Sequence, residues 1–153
     1  AGTNGHPYQS IGRWLLDQNL TKDATWPGIK NWLAQNPHRT TELLSKNPRY
    51  VFFKEEALNG NDVHLGPKGA QGVPLTAGRS IAVDRGSIPY GTPVWLKSNG
   101  PQTNLDRLVL AQDTGTAIVG AVRADYYAGS GPEAGELAGR VKQPLQLWAL
   151  WPR

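Results

Sequence analysis

Three aspartates in the second half of the chain follow or end apolar runs. Asp84 ends the run Ser-Ile-Ala-Val-Asp, Asp113 ends Leu-Val-Leu-Ala-Gln-Asp, and Asp125 comes twelve positions after Asp113. Asp is disfavoured inside strands, so an Asp at the end of such a run usually lies where a strand leaves the core and a site can form. The pattern therefore predicts a cluster of carboxylates, and carboxylates held near one another are suited to acid/base chemistry.

Each aspartate also has a plain structural explanation. Asp125 fits a helix cap or a turn acid, and Asp113 in Gln-Asp-Thr-Gly fits a turn former that accepts hydrogen bonds from the two amides after it. Asp84 stands next to Arg85 and fits an ion pair. The residues alone leave these alternatives open.

The elements before these aspartates are predicted to be helices. Ser10 precedes an apolar stripe at helical spacing, as a helix cap does, and Thr25 stands two residues before Pro27, a proline typical of a first turn. Asn36-Pro37 ends this second helix, and a third is predicted over 40–46. Residues 1–48 are therefore expected to form a small helical segment.

From residue 49 onward the pattern favours strands. β-Branched or aromatic runs bounded by Gly, Pro and Asn predict strands at 50–54, 79–83, 92–97, 107–112 and 145–150. Residues 55–78 read as a long polar loop with Gly66, Gly69 and Gly72, and loops of that length are often functional. One late helix is predicted from Pro132 to about Arg140. Short strands at irregular spacing indicate a small closed barrel.

Composition agrees with one modest domain and excludes several chemistries. The chain has 153 residues, 18 Gly, 12 Pro and no Cys, so disulfide and thiolate chemistry are ruled out. The three histidines lack metal-ligand spacing and the order of a catalytic triad, and no phosphate-binding loop is present. We therefore expect no metal, no cofactor and no nucleic-acid partner.

The charge is concentrated at one end. Residues 1–54 carry seven Lys and Arg against three Asp and Glu, whereas the remaining residues carry nine of each sign. A basic first third suits an anionic polymer, and a solvated helical surface is the simpler explanation.

Five stretches together resemble the MltA-type lytic murein transglycosylases and their three-aspartate domain. They are Asn-Gly-His-Pro-Tyr-Gln-Ser-Ile-Gly-Arg at 4–13, Asn-Pro-Arg-Tyr-Val-Phe-Phe at 47–53, the run 74–96 through Asp84, and the two motifs around Asp113 and Asp125. The resemblance covers nearly the whole chain. It implies a mainly β fold with helices, in which a six-stranded double-psi barrel at 49–153 follows a helical segment at 1–48.

The resemblance also implies a reaction. Such an enzyme cleaves the MurNAc–GlcNAc β-1,4 bond of peptidoglycan and leaves a 1,6-anhydromuramyl end, so one carboxyl that gives and then takes a proton is sufficient. Asp125 corresponds to that acid/base, and Asp113 and Asp84 are the carboxylates expected beside it. The predicted substrate-binding residues are Thr114, Gly115, Ala117, Tyr126 and Gly129. Val119 stands where relatives commonly have Lys, which puts any lysine-dependent step in doubt.

The resemblance further implies partners and a location. Peptidoglycan glycan strands are the expected substrate, in the periplasm and in association with the outer membrane through a lipid anchor. Neither the export signal nor the lipid-modified cysteine of the family occurs in these 153 residues. We therefore expect the chain to correspond to the C-terminal part of such an enzyme and to lack one barrel-completing strand, which an N-terminal segment would supply.

Two other functions remain open at this stage. A non-catalytic, expansin-like module that binds wall glycans and a hydrolytic glycosidase could both use the same barrel, because a fold does not fix an activity. Six tryptophans could offer stacking faces to sugars. Trp14 and Trp32 fit helical stripes and Trp95 and Trp148 fall within strands, so we expect these four in the core.

Overall fold

The computed structural model describes residues 2–55, 65–101 and 103–152, which form two compact units. Unit 1 is Ala1–Ala57 and unit 2 is Leu58–Arg153. This division lies nine residues after the boundary predicted at 48/49.

Unit 1 is helical, as predicted. It contains α1 (Ile11–Asp17), α2 (Trp26–Gln35), a 3-10 turn (Pro37–Arg39) and α3 (Thr40–Leu44). Ser10 caps α1 by accepting a hydrogen bond from the Arg13 amide, and Thr25 caps α2 by accepting one from the Gly28 amide. Both caps confirm the sequence prediction.

Unit 1 has a small core and a short two-stranded sheet. Leu15, Ile29, Trp32 and Leu43 form its buried cluster. Strand β1 (Gly2–Thr3) pairs antiparallel with β2 (Val51–Phe52). The strand predicted at 50–54 is therefore present, although it pairs with the start of the chain and belongs to unit 1.

Unit 2 is built on a five-stranded sheet and one helix. The strands are β3 (Ser80–Val83), β4 (Pro93–Asn99), β5 (Asn104–Asp113), β6 (Ala124–Tyr126) and β7 (Leu145–Ala149), in the order β6-β3-β5-β4-β7. β3 runs parallel to β5, and the other pairs are antiparallel. The predicted late helix is α4 (Pro132–Arg140). A mainly β domain after a helical segment is confirmed.

One face of this sheet carries the core. Its buried cluster consists of Ile81, Val83, Ile88, Val94, Leu96, Leu105, Val109 and Ala111. Buried and exposed residues alternate along β4, which is the pattern of a sheet with one covered face. We call the covered side the inner face and the opposite side the outer face.

Two strand predictions need correction. Residues 124–126 form β6, which the sequence did not predict because three residues are too few for a visible alternation. Trp95 and Trp148 pair across β4 and β7 on the outer face and are 42% and 47% exposed, so the expectation that they are core is wrong. Membership of a strand does not say which face a residue occupies.

The described part of the long loop packs against the end of β5. The Gln71 amide donates to the Gln112 carbonyl, and a β-carbon on Gly69 would lie 2.5 Å from that same carbonyl oxygen. Only glycine therefore fits at position 69. Residues 56–64 of the predicted loop lie outside the described part of the chain.

Candidate functional site

The register of three strands aligns two of the predicted aspartates. Ala82 of β3 pairs with Asp113 of β5 on one side and with Asp125 of β6 on the other. Neighbouring strands are about 4.8 Å apart, so the two aspartate Cα atoms, on the strands that flank β3, are about 10 Å apart. The Ile81 and Val83 side chains belong to the inner-face core, so Ala82 and its partner Asp125 lie on the outer face. The register of β3 and β5 shifts between Ile81 and Ala82, which makes Gln112 the extra residue of a β-bulge just before Asp113.

The third aspartate, Asp84, holds the loop that leads to β6 through hydrogen bonds. Asp84 directly follows β3, and its carboxylate accepts hydrogen bonds from the Gly86 amide at 2.9 Å and the Gly120 amide at 2.8 Å. The bond from Gly120, and after it the bond from Gly86, lowers the pKa of Asp84 because amide donors favour the charged form. The Asp84 carboxylate is therefore ionised, and both of its oxygens already accept hydrogen bonds from backbone amides.

Asp113 is held by the glycine-rich loop. One of its carboxylate oxygens accepts a hydrogen bond from the Ala70 amide at 2.9 Å. The residue before it, Gln112, accepts a 2.6 Å hydrogen bond from the hydroxyl of Ser80, which is fully buried. The end of β5 is thus fixed both to the loop and to β3.

Asp125 has a different environment from the other two. Its carboxylate contacts the Arg123 guanidinium, with the Arg123 Nε 3.3 Å from Asp125 Oδ1, and the two side chains are about half exposed. Within the described residues, no backbone amide donates to it. Asp125 is classed as exposed, whereas Asp84 and Asp113 are partly buried, so Asp125 is the carboxylate of the three that is most open to solvent.

The turn after Asp113 is tied to β3. The Thr114 hydroxyl donates to the Val83 carbonyl at 2.7 Å, and the Ile118 amide donates to the Gly115 carbonyl. Ile118 is buried, whereas Ala117 is exposed. Val119, at the position where relatives commonly have Lys, is 73% exposed.

The other two predicted substrate contacts lie on different surfaces. The Tyr126 ring packs against the inner core, and its hydroxyl accepts a hydrogen bond from Arg107 at 3.2 Å. Gly129 has φ of +114°, and a β-carbon there would lie 3.2 Å from the Ala77 β-carbon. Asp113 and Asp125 are brought into one row with Ala82, while roles for Thr114, Gly115, Ala117, Tyr126 and Gly129 in substrate binding stay predictions.

Two cavities border this region of unit 2. One of about 580 Å³ lies between the edge strands β6 and β7 and is bordered by Leu96, Leu105, Asp125, Leu137 and Leu145, among others. The other, of about 330 Å³, is bordered by Leu75, Thr76, Ala77, Tyr127, Gly129 and Ser130, among others.

Sequence reasoning missed Arg123 and the buried Ser80. Residues two positions apart in an extended segment point to the same side, so the position of Arg123 two residues before Asp125 was the sequence signal for their contact. In the described ranges, no group of three or more His, Cys, Asp or Glu is arranged to hold a metal ion. No helix of the described chain is both long and apolar enough to cross a membrane.

Two family models match separate parts of the chain. The 3D domain matches residues 79–151, and the MltA specific insert domain matches residues 1–54. The chain belongs to the MltA family. The two matches correspond to units 2 and 1, and the three-aspartate domain contains β3 to β7.

Solved structures and a curated relative agree with this family. The lytic transglycosylase LtgG of Burkholderia pseudomallei is 54% identical, with 97% of this chain and 44% of that chain covered and a TM-score of 0.72. MltA of Neisseria gonorrhoeae is 44% identical, with 99% and 39% covered and a TM-score of 0.86.

The third relative is from Escherichia coli. Its membrane-bound lytic murein transglycosylase A is 39% identical over 161 residues, which cover 98% of this chain and 42% of the relative. A structure of E. coli MltA with bound chitohexaose is 35% identical, with 97% and 45% covered and a TM-score of 0.78. This chain therefore spans less than half the length of the relatives that it matches.

Proposed function

We propose that the chain is the acid/base-bearing part of a peptidoglycan lytic transglycosylase, with Asp125 as the single acid/base. The observation that carries this proposal is the difference between the three carboxylates. Asp84 is bound by two amides and Asp113 by one, whereas Asp125 has only a side-chain partner among the described residues. A reaction that needs one available carboxyl fits such a site better than one that needs two.

The proposed reaction begins with a proton on Asp125. Asp125 gives this proton to the glycosidic oxygen as the bond to the MurNAc C1 breaks, and GlcNAc leaves with a free hydroxyl. The 6-hydroxyl of the same MurNAc then attacks C1, and the Asp125 carboxylate takes the proton of that hydroxyl. The product is a 1,6-anhydromuramyl end, no water is consumed, and Asp125 returns to its starting state.

The proposed glycan path crosses the outer face at Ala82. Ala82 has a small methyl side chain and is partly exposed, and the approximate 10 Å between the two aspartate Cα atoms gives room for a sugar. The turn 114–117 borders one side of this row. Thr114 and Gly115 are expected to orient the sugar, and Ala117 to contact it from its exposed position.

Relatives support the substrate class. MltA of E. coli binds chitohexaose, a chain of β-1,4-linked N-acetylglucosamine, and its curated name is that of a murein transglycosylase. The same glycan backbone occurs in peptidoglycan. We extend the glycan substrate to this chain, and we extend the membrane-bound location of these relatives to a protein at the periplasmic side of the outer membrane.

We also propose that a further segment of the same enzyme completes the barrel. The cavity between β6 and β7 is bordered by apolar side chains of the inner face, including Leu96, Leu105 and Leu145. A strand added to an exposed edge satisfies its backbone groups and covers such surface. The chain expressed alone should aggregate and recover when the N-terminal segment is added. A monodisperse, cooperatively melting monomer that digests peptidoglycan would contradict this.

The test of the catalytic proposal uses full-length protein and purified sacculi. Asp125→Asn keeps the size of the side chain but cannot supply a proton, so we expect clearing of sacculi to fall by at least about a hundredfold, the scale of acid/base catalysis. Arg140→Gln is a matched surface control with an expected rate near that of wild type. Near-normal clearing by a correctly folded Asp125→Asn variant would exclude Asp125 as the acid/base.

A further inference from the structure

Arg123 is an unusual neighbour for a catalytic acid. Its Nε lies 3.3 Å from Asp125 Oδ1, and both side chains are more than half exposed. Exposed ion pairs contribute little to stability, so folding does not explain an arginine at this position.

The rest of the guanidinium is available for a ligand. Within the described residues, Arg123 Nε contacts Asp125 and neither terminal nitrogen of Arg123 has a hydrogen-bond partner. Arg123 is also the one Lys or Arg between Arg107 and Arg140 in the sequence, so it supplies all the positive charge of the segment that carries Asp113 and Asp125. Guanidinium groups bind carboxylates with two parallel hydrogen bonds.

We propose that Arg123 is a specificity-determining residue that binds a carboxylate of the muramyl residue in place of its contact with Asp125. The inference rests on the proposed function. When the substrate carboxylate takes over the guanidinium, the Asp125 carboxyl loses its protein partner and is free to contact the glycosidic oxygen. The proton that Asp125 gives to that oxygen is replaced from the 6-hydroxyl, so the proton count stays balanced.

Two carboxylates of peptidoglycan have the required chemistry. One is the lactyl carboxylate, which is free when the muramyl residue carries no peptide. The other lies on the stem peptide. Binding of either carboxylate would distinguish muramyl strands from chitin, which has no carboxylate. The enzyme would then select an anionic glycan through Arg123, directly beside the proposed acid Asp125.

The test compares three substrates in full-length protein: native glycan strands, strands from which an amidase has removed the peptides, and stripped strands with carboxylates converted to methyl amides. For wild type, Arg123→Gln, Arg123→Lys and the control Arg140→Gln, the KM and kcat for each substrate are measured. We expect Arg123→Gln to raise KM by roughly ten- to hundredfold on the substrate that bears the recognised carboxylate, because a charge-assisted contact is lost. Arg123→Lys should raise KM on that substrate less than Arg123→Gln does.

The pattern of loss identifies the source. An effect on native strands alone assigns the stem peptide, and an effect on stripped strands assigns the lactyl carboxylate. An equal effect on the neutral amidated strands, or no effect on any substrate, would overturn the inference while leaving the proposed function intact. A wild-type enzyme inactive on all three would instead refute the proposed function. Arg140→Gln, whose pair with Glu136 lies on α4, should match wild type.

Discussion

The hydroxyl of Ser80 offers a sharp test of how the site is held in place. It is fully buried, accepts a hydrogen bond from the Thr76 amide at 2.8 Å and donates one to Gln112 Oε1 at 2.6 Å. The bond to Gln112 connects the start of β3 to the end of β5, one residue before Asp113, and the bond from Thr76 joins β3 to the segment that precedes it. Ser80→Ala removes both bonds and changes the volume very little.

The expected loss follows from these two bonds. Each intramolecular hydrogen bond contributes about 1 kcal/mol net, so the free energy of unfolding should fall by about 2 kcal/mol. Thr76 is exposed at the surface, which allows water to reach its amide and keeps the loss from growing much larger. Against a typical domain stability of about 5–15 kcal/mol, such a loss is readily measured.

Urea denaturation of the full-length protein gives this quantity. Ser87→Ala is the matched control, because Ser87 is exposed and its side chain makes no hydrogen bond within the described residues, so its change should stay within about 0.5 kcal/mol. We expect the Ser80→Ala midpoint to move clearly below that of Ser87→Ala with an unchanged slope. Equal midpoints for the two variants would refute the role of Ser80 as the link between β3 and β5.

Three further variants test the remaining parts of the site. Asp113→Ala should lose about 1 kcal/mol, since the Ala70 amide loses its acceptor, and should retain more activity on sacculi than Asp125→Asn; the opposite ranking would make Asp113 the better catalytic candidate. Asp84 has a lowered folded-state pKa, so its carboxylate stabilises the fold above the unfolded-state pKa and loses that effect as pH falls through the folded value. The difference in urea midpoint between wild type and Asp84→Asn should therefore be present near neutral pH and shrink as the pH falls through the lowered pKa of Asp84, and a constant difference would argue against its hold on the loop. Gly129→Ala should cost about 1–3 kcal/mol because of its positive φ and the nearby Ala77, whereas Gly139→Ala in α4, with open space around it, should gain about 0.5–1 kcal/mol; melting curves that move in the same direction would contradict this.

Local sequence signals predicted the helices well. The Ser10 and Thr25 caps and the proline at the start of α4 each depend on residues within one turn, so neighbouring positions contain the necessary information. Strand positions were also predicted to within a few residues. The short β6 was missed, because three residues cannot display a period of two.

Long-range contacts were beyond the reach of the sequence. Asp84 receives an amide from Gly120, 36 residues later, and nothing local distinguishes that contact from the ion pair expected with Arg85. The outer-face position of Trp95 also depends on which side of β4 the core covers. The motifs predicted a cluster of carboxylates; strand pairing places Asp113 and Asp125 on either side of Ala82, and their shared role in one site stays a prediction.

We propose that Asp125 catalyses glycan cleavage without water. The most direct test is mass analysis of the muropeptides that the full-length protein releases from purified sacculi. We expect muramyl ends lighter by one water than hydrolysis products, and none of these ends from the folded Asp125→Asn variant. Reducing muramyl ends from wild type would identify a hydrolase, and undiminished anhydro ends from Asp125→Asn would contradict the assignment of the acid/base.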